Sequence, residues 1–358
     1  MSGNVSNAAK VADRPAARPT GVGAYLRPGL IVFALVVVFG VLPAIGTDYW
    51  FNAILIPLAV LSLASLGLNV LTGYSGQASL GSGAIMSVGA FATYNVLLRL
   101  PLLPLPVSLL FGGLTAAVVG LAFGLPSLRI RGFYLLASTL GAQFFVEWLF
   151  NGCAWFSNNS DSGSISAPNL IVAGVDLSSP ARRYLLTVAI VGLLTWLVVN
   201  LVRSQTGRNW MAVRDMNTAA AVLGVPVLRT KMNAFFVSSF ILGIAGALWA
   251  FVYLGTADAH AFDIDLSFQL LFMIIIGGLG SIFGSFIGAA FILLFPLLLD
   301  RLAILVFGGS VDTGLLENLH NIVFGVLIIA LLIVEPRGLA AFAGKLQHRL
   351  LRLKKQPQ

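Results

Sequence analysis

The sequence predicts an all-α integral membrane protein of about ten transmembrane helices with both termini in the cytoplasm. Three observations carry that prediction. Apolar residues make up 58% of the chain and charged residues only 9%. The apolar residues fall in runs of near-membrane length, and Lys and Arg are unevenly shared between alternate loops. A soluble domain carries about 25% charged residues, so 358 residues with this composition cannot cover their surface in water. A single cysteine, Cys153, excludes an internal disulfide framework and reads as an ordinary apolar residue.

In chain order the runs cover 28–46, 51–71, 79–98, 106–126, 133–150, 183–202, 233–254, 267–280, 283–299 and 318–334. About 20 apolar residues cross a hydrocarbon core. The third run opens in a Ser/Gly-rich segment. The eighth and ninth are short and joined through Gly277, Gly278, Gly280 and Gly284, which reads as a helical hairpin or one broken helix. With the N-terminus inside, 17 of the 21 Lys and Arg face the cytoplasm, and only Arg99, Arg182, Arg183 and Arg301 fall outside. Asymmetry of this kind sets orientation. The net charge of +8 is then a topology signal, and no nucleic-acid partner is expected.

The organisation that follows is a disordered cytoplasmic tail at 1–27, a transmembrane domain at 28–335, and a basic cytoplasmic tail at 336–358. The domain carries an external loop at 151–182 and a cytoplasmic loop at 203–232. Lys10, Arg14 and Arg18 ahead of the run 30–42 and Ala44-Ile45-Gly46 also have the form of a cleavable signal peptide. Retention as the first span is the expectation.

The uncharged segment Gly73-Tyr74-Ser75-Gly76-Gln77-Ala78-Ser79-Leu80-Gly81-Ser82-Gly83 interrupts two apolar runs. It reads equally as a re-entrant element lining a path and as a short turn followed by a packing face. On the first reading Tyr74, Ser75, Gln77, Ser79 and Ser82 line the path, and Gly73 and Gly76 allow it to bend. Gly280, Gly284 and Gly288 form overlapping G-x-x-x-G steps, which favour close helix contact. A short echo links Gly73-Tyr74-Ser75-Gly76 with Gly277-Gly278-Leu279-Gly280. Glu147 is the only acid inside an expected span. A pair with Arg182 or Arg183 near the outer interface is the first reading, and a pathway contact the second.

The loop 203–232 is more specific. Trp210, Val213, Met216, Ala220 and Leu223 recur at helical spacing, and Gly224 and Pro226 end the pattern. This predicts one amphipathic cytoplasmic helix of about four turns, resting on headgroups or seated in a groove of another protein. The sequence contains no phosphate-binding loop, zinc motif or nucleophile elbow, and no cofactor or metal is expected. Asp263 and Asp265 form an Asp-x-Asp suited to a metal-dependent enzyme, a weaker reading than solvated acids. An ion-coupled secondary transporter is the other alternative. It normally needs midplane carboxylates, and only Glu147 is available.

Several motifs together resemble the membrane subunits of branched-chain amino acid ABC importers. They are Gly67-Leu68-Asn69 with Gly73 to Gly81, Leu128-Arg129-Ile130-Arg131-Gly132-Phe133-Tyr134, and Gly207-Arg208 through Ala212-Val213-Arg214-Asp215 to Ala219-Ala220 and Leu223-Gly224. Lys231, Gly277-Gly278-Leu279-Gly280-Ser281 and Glu335-Pro336-Arg337-Gly338-Leu339 follow in order, so the resemblance spans about 50–340. It implies a permease subunit in a bacterial inner membrane, forming half of a pathway for branched-chain amino acids or related small solutes. It also implies a homologous second permease, two cytoplasmic ATPases and an external solute-binding protein as partners. The 207–224 segment becomes the coupling helix, with Arg208, Trp210, Val213, Arg214, Asp215, Ala219, Ala220, Leu223 and Gly224 presented to an ATPase. Ser82 stands where many relatives carry histidine, and Asn217 where an acid is common.

Overall fold

The computed structural model describes residues 47–100, 103–128, 133–160, 179–307 and a few positions in 165–176 and 325–340. Within them helices occupy eight of the ten expected ranges; 28–46 and most of 318–334 lie outside the described residues. So do the two tails, apart from Gly338 to Ala340.

Helix α1 runs Trp50–Tyr74. It is an α-helix over Ile56–Asn69 with wider π turns at Trp50–Leu55 and Val70–Tyr74. Pro57 sits in the first α-helical turn, where its missing N–H matters least. Helix α2 (Ser82–Arg99) follows after an irregular stretch, then α3 (Leu105–Leu128) and α4 (Phe133–Gly152). Three two-residue strands come next: β1 (Ile165–Ser166), β2 (Ile171–Val172) and β3 (Val175–Asp176). Helix α5 (Pro180–Arg203) turns at Ser204 into α6 (Gln205–Asp215) and α7 (Asn217–Val222). Helix α8 (Val227–Leu248) continues as a π turn at Trp249–Leu254. Strand β4 (Thr256–Ala257) pairs antiparallel with β1, Ile165 opposite Ala257. A 3-10 turn at Ala259–Phe262 leads into α9 (Ile264–Gly277), and α10 (Ile282–Phe307) completes a helical hairpin.

Six helical segments among the described residues are long and apolar enough to cross a membrane: Trp50–Tyr74, Leu105–Leu125, Pro180–Arg203, Val227–Leu254, Ala259–Gly277 and Ile282–Leu299. The chain is therefore a multi-pass, mainly helical membrane protein. Helices α2 and α4, the third and fifth expected spans, are not among these six. Burial separates a centre from a rim: the membrane-length windows of α1 and α8 are 78% buried, that of α5 only 22%.

The centre is held at small residues. A Cβ on Gly89 of α2 would run into the Gly243 backbone of α8, and one on Gly246 into the Met86 backbone. Gly112 of α3 lies equally close to Thr93 and the Gly89 carbonyl. Such positions let backbones approach and recover dispersion energy where lipid offers no hydrophobic drive for association.

Three expectations are corrected here. The third span does not begin at residue 79: Ser75 to Gly81 is non-helical and α2 starts at Ser82. The glycines 280, 284 and 288 do not share a helix. Gly280 lies in the α9–α10 turn with φ +72°, while Gly284 and Gly288 pack against Gly277 and the Met273 carbonyl. The amphipathic stretch expected within 203–232 is not one helix, since Met216 is extended (φ −157°, ψ 99°) and divides α6 from α7.

Candidate coupling and gating site

Two clusters of polar and glycine residues organise the bundle. The first is a junction at the end of α1. Asn69 is fully buried and its side chain reaches three groups of the α9–α10 turn. The Asn69 amide nitrogen donates to the Ser281 carbonyl and to Ser285 Oγ, both at 2.9 Å. Gly280 N–H donates to Asn69 Oδ1 at 2.8 Å. Every polar atom of that amide thus has a partner, which a buried amide requires to avoid roughly 1–3 kcal/mol per orphaned group.

Gly73 stands one turn further on, with no room for a Cβ between Asn69 Oδ1 and the Gly280 N–H. Its carbonyl accepts from Arg214 Nη1 of α6 at 2.9 Å. Arg214 also donates through Nε to Asp215 Oδ1 at 2.9 Å. Its aliphatic stem covers Gly76, where a Cβ would lie 2.8 Å from Arg214 Cγ. Gly338 packs onto the same turn, 2.5 Å from Gly278 Cα at its Cβ position. Gly277 faces the Gly284 carbonyl, and Gly284 faces Gly277 and Gly278 in return. Positive φ at Gly76 (+72°), Gly278 (+115°) and Gly280 (+72°) is what a bend this tight demands. Four motifs, separated by up to more than 200 residues, meet here.

The remaining path candidates surround this junction. Tyr74 is buried against the Ile282 backbone. Ser75 Oγ donates to the Leu71 carbonyl at 2.7 Å and accepts from the Gln77 amide at 2.7 Å. That amide also reaches the Lys231 carbonyl at 3.4 Å, while Gln77 Oε1 has no partner.

The second cluster holds the start of α2. Leu80 N–H donates to Thr139 Oγ1 at 3.0 Å, and Gly81 N–H to Ser79 Oγ at 3.3 Å. Gly83 N–H donates to Ser267 Oγ at 2.8 Å and Ala84 N–H to Gln143 Oε1 at 2.6 Å. Gln143 returns a bond from Nε2 to the Phe262 carbonyl at 2.7 Å, and Ser267 Oγ donates to Gln143 Oε1 at 3.2 Å. The first amides of a helix have no partner within it. Here side chains of α4 and α9 supply those partners. Glu147, one turn beyond Gln143, stands 3.7 Å from His260 Nδ1, so the partner found is a histidine that the sequence reading did not single out.

The α6–α7 surface differs from the expected single stripe. Trp210 and Val213 are buried against their own chain, with Trp210 Nε1 donating to the Thr230 carbonyl at 3.1 Å. Ala220 is also buried. Met216, Val222 and Leu223 are 61%, 88% and 81% exposed. Ala219 and Asp215 are exposed as well, and Gly224 (φ +82°) has nothing within reach of a Cβ. Arg208 is turned back on Gln205 Oε1 (2.8 Å) and the Arg203 carbonyl (3.2 Å). Past the break at Met216 the stripe divides, with Ala220 held inward and Met216 and Leu223 turned to solvent.

Asp263 is a helix cap: its carboxylate accepts from Leu266 N–H at 3.0 Å. That use accounts for half of the Asp-x-Asp without a metal. Asn69, Thr139, Gln143 and Ser267 are the residues to which the sequence reading assigned no role. An amide inside an apolar run was the signal for two of them.

A family model described as branched-chain amino acid transport system / permease component matches residues 51–332, most of the chain. The chain belongs to that family. Among curated relatives of this permease-component chain, the high-affinity branched-chain amino acid transport system permease protein LivM of Escherichia coli is 31% identical over 251 residues. That match covers 63% of this chain and 58% of LivM, less than two thirds of the relative's length. LivM of Salmonella typhimurium is 27% identical over 77% of this chain and 67% of its own. The autoinducer 2 import system permease protein LsrC of an Enterobacter species is 32% identical, covering 52% of this chain and 54% of LsrC. No solved structure matches the permease-component chain.

Proposed function

We propose that this chain is the membrane subunit of an ABC importer in a bacterial inner membrane. In this reading it forms half of a pathway for branched-chain amino acids or a related small solute, beside a second permease. Two cytoplasmic ATPases drive it and an external binding protein delivers the cargo. The Arg214–Gly73 hydrogen bond carries the reading. It ties the exposed α6–α7 element to the glycine junction where α1, α9 and α10 meet. Met216, Val222 and Leu223 form the small apolar surface offered to the ATPase, while Trp210, Val213 and Ala220 anchor it to the permease. A push on α7 therefore reaches Gly73 through the Arg214 side chain. The Ser75–Gly81 stretch is the re-entrant element, bent at Gly73 and Gly76, with Gly277, Gly278, Gly280 and Gly284 as the gating and packing glycines beside it and Tyr74, Ser75, Gln77, Ser79 and Ser82 along its path.

The experiment is pull-down of tagged chain from native membranes. Wild-type chain should retain an ATPase, and Val222→Asp with Leu223→Asp should lose it while keeping the melting temperature, because both side chains stand in solvent. Arg214→Ala should keep the ATPase and lose transport. Solute uptake by the purified chain alone, down an ion gradient in liposomes, would overturn the reading in favour of a secondary transporter.

A further inference from the structure

Behind the first turn of α2 lies a cavity of about 20 Å³ whose lining includes Ser79, Ser82, Thr139, Ser238 and Ser239. Leu71, Phe123, Phe235 and Leu242 also line it. Ser82 and Ser238 are 1% and 0% exposed, and the Oγ of each is without a hydrogen-bond partner. Ser238 forgoes an available partner. A serine within a helix commonly donates to the carbonyl four residues back, as Thr93 does to Gly89 and Thr187 to Arg183 in this chain. Burying two hydroxyls unpaired is unfavourable unless something else answers them. Two neighbouring hydroxyls are already engaged: Thr139 Oγ1 donates to the Leu136 carbonyl at 3.0 Å, and Ser79 Oγ accepts from Gly81.

We infer that the cavity is a binding site for one ordered water molecule, held between Ser82 Oγ of α2 and Ser238 Oγ of α8. The volume admits a single water and excludes an amino acid, and two hydroxyls meet the minimum of two to four polar partners that a buried water needs. No charged side chain lines the space to balance an ion. The water would join the first turn of α2 to α8 at the centre of the bundle.

The test reads the sign of a stability change. With water present, Ser82→Ala and Ser238→Ala each remove one of its partners, so each lowers the melting temperature of the detergent-purified chain. The double variant then falls no further than the worse single, since both act on one molecule. In a dry cavity each substitution deletes an unsatisfied hydroxyl, and the melting temperature holds or rises additively. That outcome overturns the proposal. A high-resolution density map separates the remaining case: a peak at hydrogen-bond distance from both Oγ atoms supports the site, whereas Ser238 Oγ turned onto the Ala234 carbonyl with no peak refutes it.

Discussion

Helices α2 and α9 begin beside each other and are capped in opposite ways. A Cβ on Gly83 would lie 2.7 Å from the Phe262 carbonyl and 2.9 Å from that of Asp263. Helix α9 satisfies its first turn locally, with Asp263 accepting from an amide three residues on. Helix α2 has no capping side chain of its own and borrows Gln143 from α4 and Ser267 from α9. A locally capped helix carries its end wherever it moves. A helix capped by its neighbours is fixed at that point only while α4 and α9 hold station, so any sliding of these elements exposes backbone amides at the start of α2.

The largest test of that contrast is Gln143→Leu. It strips Ala84 N–H and Ser267 Oγ of an acceptor and Phe262 O of a donor, each orphan worth roughly 1–3 kcal/mol. We expect a loss of several kcal/mol in detergent unfolding; a loss below about 1 kcal/mol would make the borrowed cap decorative. Ser267→Ala should cost less, roughly 1–3 kcal/mol, because Gly83 N–H is the main group left bare. The two changes share a network, so a double-mutant cycle should return a coupling of about 0.5–3 kcal/mol. Asp263→Ala removes a local cap and should cost roughly 0.5–2 kcal/mol. The smallest effect belongs to Asp263→Asn, which caps as well as the acid. Stability and transport should both stay at wild-type level, and loss of activity with retained folding would revive a metal-dependent reading of the Asp263–Asp265 pair.

The contrast also explains what the sequence could and could not disclose. The cap at Asp263 acts over three residues, and the glycine turns at Gly73–Gly76 and Gly277–Gly280 announce themselves by composition alone. Gln143 was hidden because a search for intramembrane charge stops at Glu147, and a neutral amide in an apolar run leaves hydropathy almost unchanged. Asn69 acts across 211 residues on Gly280, a separation that no local pattern encodes. The helix break at Met216 has neither Gly nor Pro to mark it. Helical spacing therefore predicted one stripe, where the chain keeps Trp210, Val213 and Ala220 inward and turns Met216 and Leu223 to solvent. The short echo between the two glycine segments gains a physical setting: Gly73 and Gly280 lie against each other, with Asn69 between them.

The glycine junction also imposes an order on biosynthesis. Gly73 leaves the ribosome before its Arg214 partner, and Gly338, which rests on Gly278, emerges after both. The Asn69 amide must await Ser281 and Ser285 before it is satisfied. Early helices can insert one by one, yet the latch between them closes only after Gly338 has emerged, so a nascent chain halted before that point holds the junction unfastened.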